Sequence, residues 1–332
     1  MPPTIRPATP TDLPAMVDLL IRGGEQRRSQ NPALWLVDAG APARIEAGVR
    51  AALEGPNTPA QERWLLAEAA GRLVGLAHAM IVQPPPIYDI AAGSPGLILD
   101  DGFTLEDAPP DTAAALLTAT ETAIRAAGAA GLIASCPAAG SWRAVYERHG
   151  YEPVTLYMAK AGFGVQPIPP VVRPAGPEDL AGIVGRSAEH RKMLGALNPR
   201  FWHIHPEADR RFEMWMRYSL TLPDRDMFAA GASDEVHGYV IAQPVSPLLV
   251  PAAHDIRTIG VIDDYYDRDF ASVLAVSSGG TTAAGLLSAV ESAFAQRGFT
   301  AALAVCPAAW TAKISLLEQN GYRTAKLWLL KR

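Results

Sequence analysis

The sequence has little cysteine, no long apolar run and no concentration of basic residues, and each absence excludes a class of protein. Two cysteines in 332 residues cannot form the disulfide framework of a small secreted domain. No uninterrupted apolar run approaches the roughly 18–20 residues that cross a bilayer, so we expect no membrane partner. A net charge of −5 without a Lys/Arg stripe predicts no nucleic-acid partner. The first residues lack the basic and apolar segments of a secretory signal, so we expect a soluble, cytoplasmic protein.

The sequence does contain a long internal repeat. Asn-Pro-x-x-Trp occurs at 31–35 and again at 198–202. Four further motifs recur in the same order and at nearly the same offset. They are Arg-Pro-Ala at 6–8 and 173–175, Tyr-Asp-Ile at 88–90 (as His-Asp-Ile at 254–256), Cys-Pro-Ala-Ala at 136–139 and 306–309, and Gly-Tyr at 150–151 and 321–322. The length also suggests two domains of about 150 residues. We therefore predict one domain over 1–160, a Gly/Pro-rich linker over 161–170 and a second domain over 171–332.

Each half has the same order of elements: strand, two helices, three strands, helix, strand, helix and strand. Leu13, Met16 and Leu20 lie on one face of the first helix, and Gly128 and Gly298 end the two long alanine-rich helices. Hairpins supply antiparallel pairs and the long helices supply crossovers. This order predicts an α+β fold in which each half has a mixed, mostly antiparallel sheet flanked by helices.

The two cysteines occupy equivalent positions, Cys136 and Cys306, each at the end of an apolar strand. We expect both to be buried in separate halves, so a disulfide between them is not predicted. A thiol nucleophile is the alternative. No repeated histidine lies at a matching distance to act as its base.

The motifs together resemble the GNAT N-acyltransferase superfamily over essentially the whole chain. Arg-Pro-Ala-x-x-x-Asp-Leu opens both halves, at 6–13 and 173–180, and the hairpins ending in Val-Gly at 74–75 and His-Gly at 237–238 fit its second and third strands. The late-helix motif is present as Ala-x-Tyr-Glu-x-x-Gly-Tyr at 144–151. The resemblance implies two tandem GNAT-like domains.

The resemblance also implies a mechanism. Acetyl-CoA or another acyl-CoA, as co-substrate, lies where the fourth and fifth strands splay apart. Backbone amides at the start of the long helix hold its pyrophosphate, because unpaired N–H groups and the helix dipole favour anions there. The substrate amine attacks the thioester, and a tyrosine on the late helix protonates the departing thiolate.

The predicted tyrosine falls on Tyr146 in the first half. In the second half, counting back from Gly321, the same position holds Leu317, which has no proton to donate. The alternative for Tyr146 is a packing role under the following Gly-Tyr turn.

The cofactor loop departs from the family pattern in both halves. At 108–113 the first half reads Ala-Pro-Pro-Asp-Thr-Ala; its two prolines remove amide donors, and acidic residues stand where a pyrophosphate would bind. Asp111 is expected to cap its own helix instead. The second half offers small residues with free amides and hydroxyls and no nearby acid. The predicted cofactor-binding residues are Ser278, Gly279, Gly280, Thr281 and Thr282, with an ordinary Gly-rich connector as the alternative.

Two pairs of adjacent aspartates lie on the predicted fourth strands, at 100–101 and 263–264. Strand alternation turns one carboxylate of each pair to each face. Asp264 is the second catalytic candidate, since a carboxylate facing the cleft can deprotonate or orient an amine. Solvation at a sheet edge is the alternative.

Two other features have a possible functional role and a purely structural alternative. Trp35 and Trp202 line the expected acceptor pocket or pack in a way specific to the fold. The His-x-His at 203–205 could hold a metal ion, but no Cys or carboxylate cluster completes a ligand set, so no metal site is predicted.

The leading hypothesis is an acyl-CoA-dependent N-acyltransferase that moves an acetyl or other short acyl group to a small primary amine, with the second half binding the acyl-CoA. The alternatives are a non-catalytic pair of GNAT-like domains with a ligand-binding or docking role, and a protein-interaction module. The sequence does not indicate an oligomeric state.

Overall fold

The computed structural model describes residues 2–55, 61–89, 93–277 and 281–332. The first half contains, in chain order, β1 (Thr4–Pro7), α1 (Leu13–Gln30), α2 (Ala41–Glu54), β2 (Arg63–Ala69), β3 (Arg72–Ile81), β4 (Gly96–Ile98), β5 (Phe103–Thr104), α3 (Thr112–Ala126), β6 (Leu132–Pro137), α4 (Ser141–Arg148) and β7 (Tyr151–Ala161).

The second half repeats this order, except that one long strand, β11, stands where the first half has β4 and β5, and that it has an additional short helix, α7. Its elements are β8 (Val172–Pro174), α5 (Leu180–Leu197), α6 (Ala208–Ser219), β9 (Asp226–Ala232), β10 (Glu235–Pro244), β11 (Ile259–Asp267), α7 (Val273–Ser277), α8 (Thr281–Gln296), β12 (Ala301–Pro307), α9 (Thr311–Gln319) and β13 (Arg323–Lys331). The predicted α+β class is confirmed. No helix in the described ranges has the length and apolarity to cross a membrane.

Local sequence explains the ends of the long helices. Gly128 and Gly298 have φ values of +103° and +78°, which glycine adopts without the steric penalty of a Cβ atom. The N–H groups of Gly128 and Ala129 donate to Arg125 and Ile124, as in a Schellman motif. Both predicted helix ends are therefore confirmed.

The two halves exchange their closing strands. The sheet runs β1-β2-β3-β4-β6-β13-β7-β12-β11-β10-β9-β8, with β5 beside β3. The last strand of the second half, β13, thus pairs with β6 of the first half, and β7 pairs with β12. Each core contains residues from both halves: Leu327 and Leu329 pack in the first, and Val154 and Met158 in the second.

Each half has one place where two parallel strands part. Pairing of β4 with β6 ends at Ile98 and Ala134, and pairing of β11 with β12 ends at Ile262 and Ala304. We call the openings beyond these residues the first gap and the second gap. The strand predicted over 96–101 ends at Ile98, whereas its counterpart continues past 264 to Asp267.

The repeated motifs join the halves to each other. Val37 and His254 form a β-bridge, as do Tyr88 and Ile204. The Trp35 ring lies 5.1 Å from the His254 ring, and Trp35 and Trp202 are both buried. The residues that follow each Asn-Pro-x-x-Trp motif therefore contact the other half at Tyr88 or His254, and both tryptophans pack in hydrophobic clusters.

Candidate functional site

The second gap begins at a β-bulge on β11. Asp264 lies opposite Ile241 of β10, but the next pair is Ile262 with Ala242, so Asp263 is the extra residue. A bulge of this kind redirects side chains locally. Asp264 faces the side of the sheet that α5 covers, because it contacts His190 of that helix.

Asp264 is held by two neighbours. Its Oδ1 lies 2.9 Å from His190 Nδ1, and its Oδ2 accepts a hydrogen bond of 2.8 Å from the Tyr239 hydroxyl. Burial raises the pKa of Asp264, but these hydrogen bonds outweigh it and the pKa is lowered overall. Burial also lowers the pKa of His190. A neutral His190 therefore donates from Nδ1 to an ionised Asp264.

The Asp263 carboxylate makes no hydrogen bond or ion pair with the side chains of the described residues. Asp263 is exposed, yet surrounding protein atoms desolvate its carboxylate, and the Asp264 charge adds to this effect. Together they raise the pKa of Asp263 to about 6. A base with a pKa near the working pH is suited to general base catalysis.

Two side chains of the α9 region cross the second gap. Lys313 Nζ donates to the Tyr265 carbonyl at 2.7 Å, and Trp310 Nε1 donates to the Phe270 carbonyl at 2.8 Å. Lys313 is only 2% exposed, and burial lowers its pKa. A ligand lying between β11 and α9 must therefore displace Lys313 from Tyr265.

Searches with this sequence found no matching family model and no matching curated protein. Its structure is similar to a GCN5-related N-acetyltransferase from Sphaerobacter thermophilus, with a TM-score of 0.55, 16% identity, and coverage of 99% of this chain and 95% of the other. The chain has the GNAT fold. Other matches are a tandem GNAT protein from the clavulanic acid biosynthesis pathway (TM-score 0.48, 13% identity, 99% and 97% covered) and a GNAT-family acetyltransferase from Colwellia psychrerythraea (0.48, 10%, 98% and 98%).

The gaps correspond to the predicted splay of the fourth and fifth GNAT strands, but only part of the predicted cofactor loop can be compared. Ser278, Gly279 and Gly280 lie outside the described residues, and Thr281 is the first residue of α8. The Thr282 hydroxyl lies 3.4 Å from a carboxylate oxygen of Asp269. The expectation that no acid lies near this loop is therefore wrong. The residues inserted after β11 fold back and bring Asp269 to the helix start.

In the first half, Asp111 stands at the N-cap of α3, but its side chain accepts no capping hydrogen bond. The expected self-capping is wrong. Instead, the Thr112 hydroxyl donates to the Pro109 carbonyl, and Asp107 pairs with Arg72. The nearby acidic charge still disfavours a pyrophosphate.

The first gap contains a narrow cavity of about 20 Å³, and Tyr146 forms part of its wall. Tyr146 is 1% exposed, and its ring lies 5.7 Å from Trp142 and 5.4 Å from Tyr151. Burial raises its pKa well above the usual value, which weakens it as an acid. Since Tyr146 lines the first gap and Asp264 the second, the structure does not bring the two catalytic candidates into one site.

Asp100 and Asp101, which follow β4 in the first half, are both paired with positively charged groups. Lys326 Nζ lies 3.0 Å from Asp100, and both side chains are almost fully buried. Asp101 contacts His78 Nδ1 at 2.9 Å, and Glu62 lies 3.2 Å from the other ring nitrogen. Burial lowers the pKa of His78, but these two carboxylates outweigh it and raise the pKa overall.

The expected strand alternation does not apply to Asp100 and Asp101, because β4 ends at Ile98 before reaching them. In the second half, the bulge at Asp263 interrupts the alternation as well.

The two histidines of the His-x-His segment contact different partners. His203 lies 3.5 Å from Asp89, and His205 Nδ1 accepts a hydrogen bond from the backbone of Glu207. Among the residues placed by the structure, no group of three or more His, Cys, Asp or Glu could hold a metal ion.

Sequence reasoning missed His190 and Lys313. Each is buried in a helix of the second half, and neither belongs to a repeated motif. At the offset of the repeated Asn-Pro-x-x-Trp, the position matching His190 in α1 is Gly23. The sequence signal that could have identified His190 was a histidine in the second half at the position where the first half has a glycine on a buried helix face.

Proposed function

We propose that the protein transfers an acetyl or other short acyl group from acyl-CoA to a small primary amine in the second gap. The observation that carries this proposal is the position of Asp263 at the bulge where β11 leaves β12, with its carboxylate desolvated by surrounding protein atoms. This carboxylate has a pKa of about 6 and no cation in direct contact among the described side chains. Such a group can accept a proton from an ammonium ion at neutral pH.

In this proposal Asp263 takes one proton from the bound ammonium group, and the free amine attacks the thioester carbonyl carbon. The C–N bond forms, the C–S bond breaks, and the second proton lost by the nitrogen passes to the departing thiolate, so that CoA leaves as the thiol. Asp264 is kept ionised by His190 and Tyr239, so it attracts and orients the ammonium group. Residues 278–282 would bind the pyrophosphate through backbone amides at the start of α8.

A titration with acetyl-CoA tests the proposal. A ligand at 100 times its Kd stabilises the folded protein by about 2.7 kcal/mol, so a thermal-shift assay should show a rise in Tm. Gly280→Asp should abolish the rise, because it adds negative charge at the proposed pyrophosphate site. Asp111→Arg in the first half should leave it unchanged. No rise at millimolar acetyl-CoA would overturn the proposal.

A non-catalytic pair of GNAT-like domains is the second candidate, and the Lys313 and Trp310 contacts across the second gap favour it. Lys313→Ala separates the two. If an acyl-CoA competes with Lys313 for the edge of β11, this variant should bind acetyl-CoA more tightly than the wild type. If no acyl-CoA site exists, neither protein should show a thermal shift.

A further inference from the structure

The Tyr-Asp-Ile motif of the first half lies against the second half. Tyr88 forms a β-bridge with Ile204, and the next residue, Asp89, donates its N–H to the His203 carbonyl at 2.7 Å. The half-buried Tyr88 side chain packs against the hydrophobic core of the second half. Tyr88 therefore belongs to the first half by sequence, but contacts with the second half fix its position.

The Tyr88 hydroxyl interacts electrostatically with three charged groups around the second gap. Burial raises the pKa of Tyr88 above its usual value, the Asp264 and Asp263 charges raise it further, and the Arg191 charge opposes them. The two aspartates lie on β11, and Arg191 lies on α5, the helix that covers the Asp264 face of the sheet. Because such interactions weaken with distance, the hydroxyl is close to the carboxylates of the second gap. It keeps its proton at neutral pH.

The equivalent residue of the second half, His254, lies beside the first gap. It forms the matching β-bridge with the first half. Arg27 Nε donates to His254 Nε2 at 2.9 Å, and Arg27 Nη1 donates to the Asp100 carbonyl at 2.8 Å. In the first gap, therefore, a guanidinium joins His254 to the chain just after β4.

The α5 residue that corresponds to Arg27 is a leucine. At the offset of the repeated Asn-Pro-x-x-Trp, the matching position is Leu194, which packs in the hydrophobic core of the second half. The Tyr88 hydroxyl makes no hydrogen bond with the residues that the structure describes. A desolvated polar group without a partner is unfavourable, and a hydrogen bond to a ligand removes that cost. The hydroxyl is thus available to a ligand where the first gap has a protein contact.

We propose that Tyr88 binds the acceptor, its hydroxyl oxygen accepting a hydrogen bond from the ammonium group that Asp263 and Asp264 attract. The inference rests on the proposed acyl transfer in the second gap. A primary ammonium group has three N–H donors, and two carboxylates and one phenol oxygen supply three acceptors. The acceptor site is then composite, because the first half supplies Tyr88 and the second half supplies the aspartates.

The test compares Tyr88→Phe with the wild type, because this change removes only the hydroxyl group. Ethylamine, butylamine and ethanolamine serve as acceptors at saturating acetyl-CoA, and CoA release is measured. Tyr88→Phe should raise the acceptor KM about tenfold, as expected for a lost hydrogen bond to a charged group, with kcat within about twofold of the wild type. Tyr218→Phe, which alters an exposed tyrosine of α6, is the matched control and should leave both constants unchanged. The thermal shift with acetyl-CoA should be the same in all three proteins.

The outcomes separate the two proposals. If the wild type is active and Tyr88→Phe leaves the acceptor KM unchanged, or lowers only kcat, the binding role of Tyr88 is overturned and the acyl transfer stands. If the wild type releases no CoA with any of the amines, the acyl transfer is overturned, and a calorimetric titration with butylamine decides on Tyr88. Binding about tenfold weaker in Tyr88→Phe supports the inference. Equal binding to both proteins, or no binding to the wild type, contradicts it.

Discussion

The two gaps have the same arrangement of strands but differ in the charges around them. In each, two parallel strands part and a pair of aspartates follows. In the first gap the carboxylates pair with Lys326 and with a histidine whose pKa is raised. In the second, Asp264 is bound by a neutral histidine and a tyrosine, and Asp263 contacts no cation among the side chains that the structure describes. A carboxylate at such an opening is therefore structural where a cation neutralises it and available for chemistry where no cation contacts it.

Strand exchange produces this difference. Lys326 reaches the first gap on β13, where it lies opposite Pro137. At the matching place on β7, opposite Pro307, stands Thr155. The first gap thus receives an ammonium group from the other half, and the second gap receives a hydroxyl group. By strand register Asp100 corresponds to Asp264, so the same position has a buried ion pair in the first gap and hydrogen bonds from His190 and Tyr239 in the second.

The largest expected effect comes from removing the proposed base. Asp263→Asn should lower kcat by about 10²–10⁴-fold, the usual contribution of a general base, while the acetyl-CoA thermal shift stays the same. Asp101→Asn, the control in the first gap, should leave kcat within about twofold of the wild type. Equal losses in both variants would show that the comparison does not locate the chemistry.

The second largest expected effect is a loss of stability. Lys326→Thr leaves Asp100 buried without its ion-pair partner, and breaking a buried pair in this way costs about 3–5 kcal/mol. Urea denaturation should show this loss in the free energy of unfolding. Arg332, the residue after β13, forms an exposed pair with Glu152 of β7. Arg332→Thr removes this pair and should cost less than about 1 kcal/mol. Similar small losses in both would mean that the Lys326–Asp100 pair does not hold the exchanged strand.

Thr155→Lys should transfer the charge pattern of the first gap to the second. A new ammonium group near Asp263 and Asp264 would repel the substrate ammonium, and kcat/KM should fall by about tenfold, or about 1.4 kcal/mol. Thr155→Met has similar length without charge and should retain most activity. Equal falls in the two variants would attribute the loss to packing.

The smallest effect is expected for Tyr146→Phe. Because Tyr146 lines the first gap and burial raises its pKa, CoA release should remain within about twofold of the wild type. A fall in kcat of tenfold or more with little change in the acceptor KM would assign catalysis to the first gap and support its predicted role as the acid.

Much of the fold could be predicted because the repeat carries local signals twice. Gly128 and Gly298 marked the ends of equivalent helices, and both have the positive φ that those ends require. The cofactor loop was harder, since its environment depends on residues inserted after β11. Asp269 reaches Thr282 only when that insertion folds back.

The strand exchange and the charges of the gaps were beyond sequence reasoning for a physical reason. A strand with the pattern of β13 can close either half, because both present the same edge. Lys326 meets Asp100 only after that choice is made. In the same way, nothing in the sequence distinguishes Lys313 from an ordinary surface lysine. It is buried only because its helix packs over the second gap.

The pH dependence of kcat/KM for CoA release shows whether Asp263 acts as the base. Asp263 must be ionised to accept a proton, so activity should be constant above its pKa and fall about tenfold per pH unit below about pH 6. This acidic limb should be present in the wild type and absent from the residual activity of Asp263→Asn. The same limb in both proteins, or no CoA release from the wild type at any pH, would contradict it.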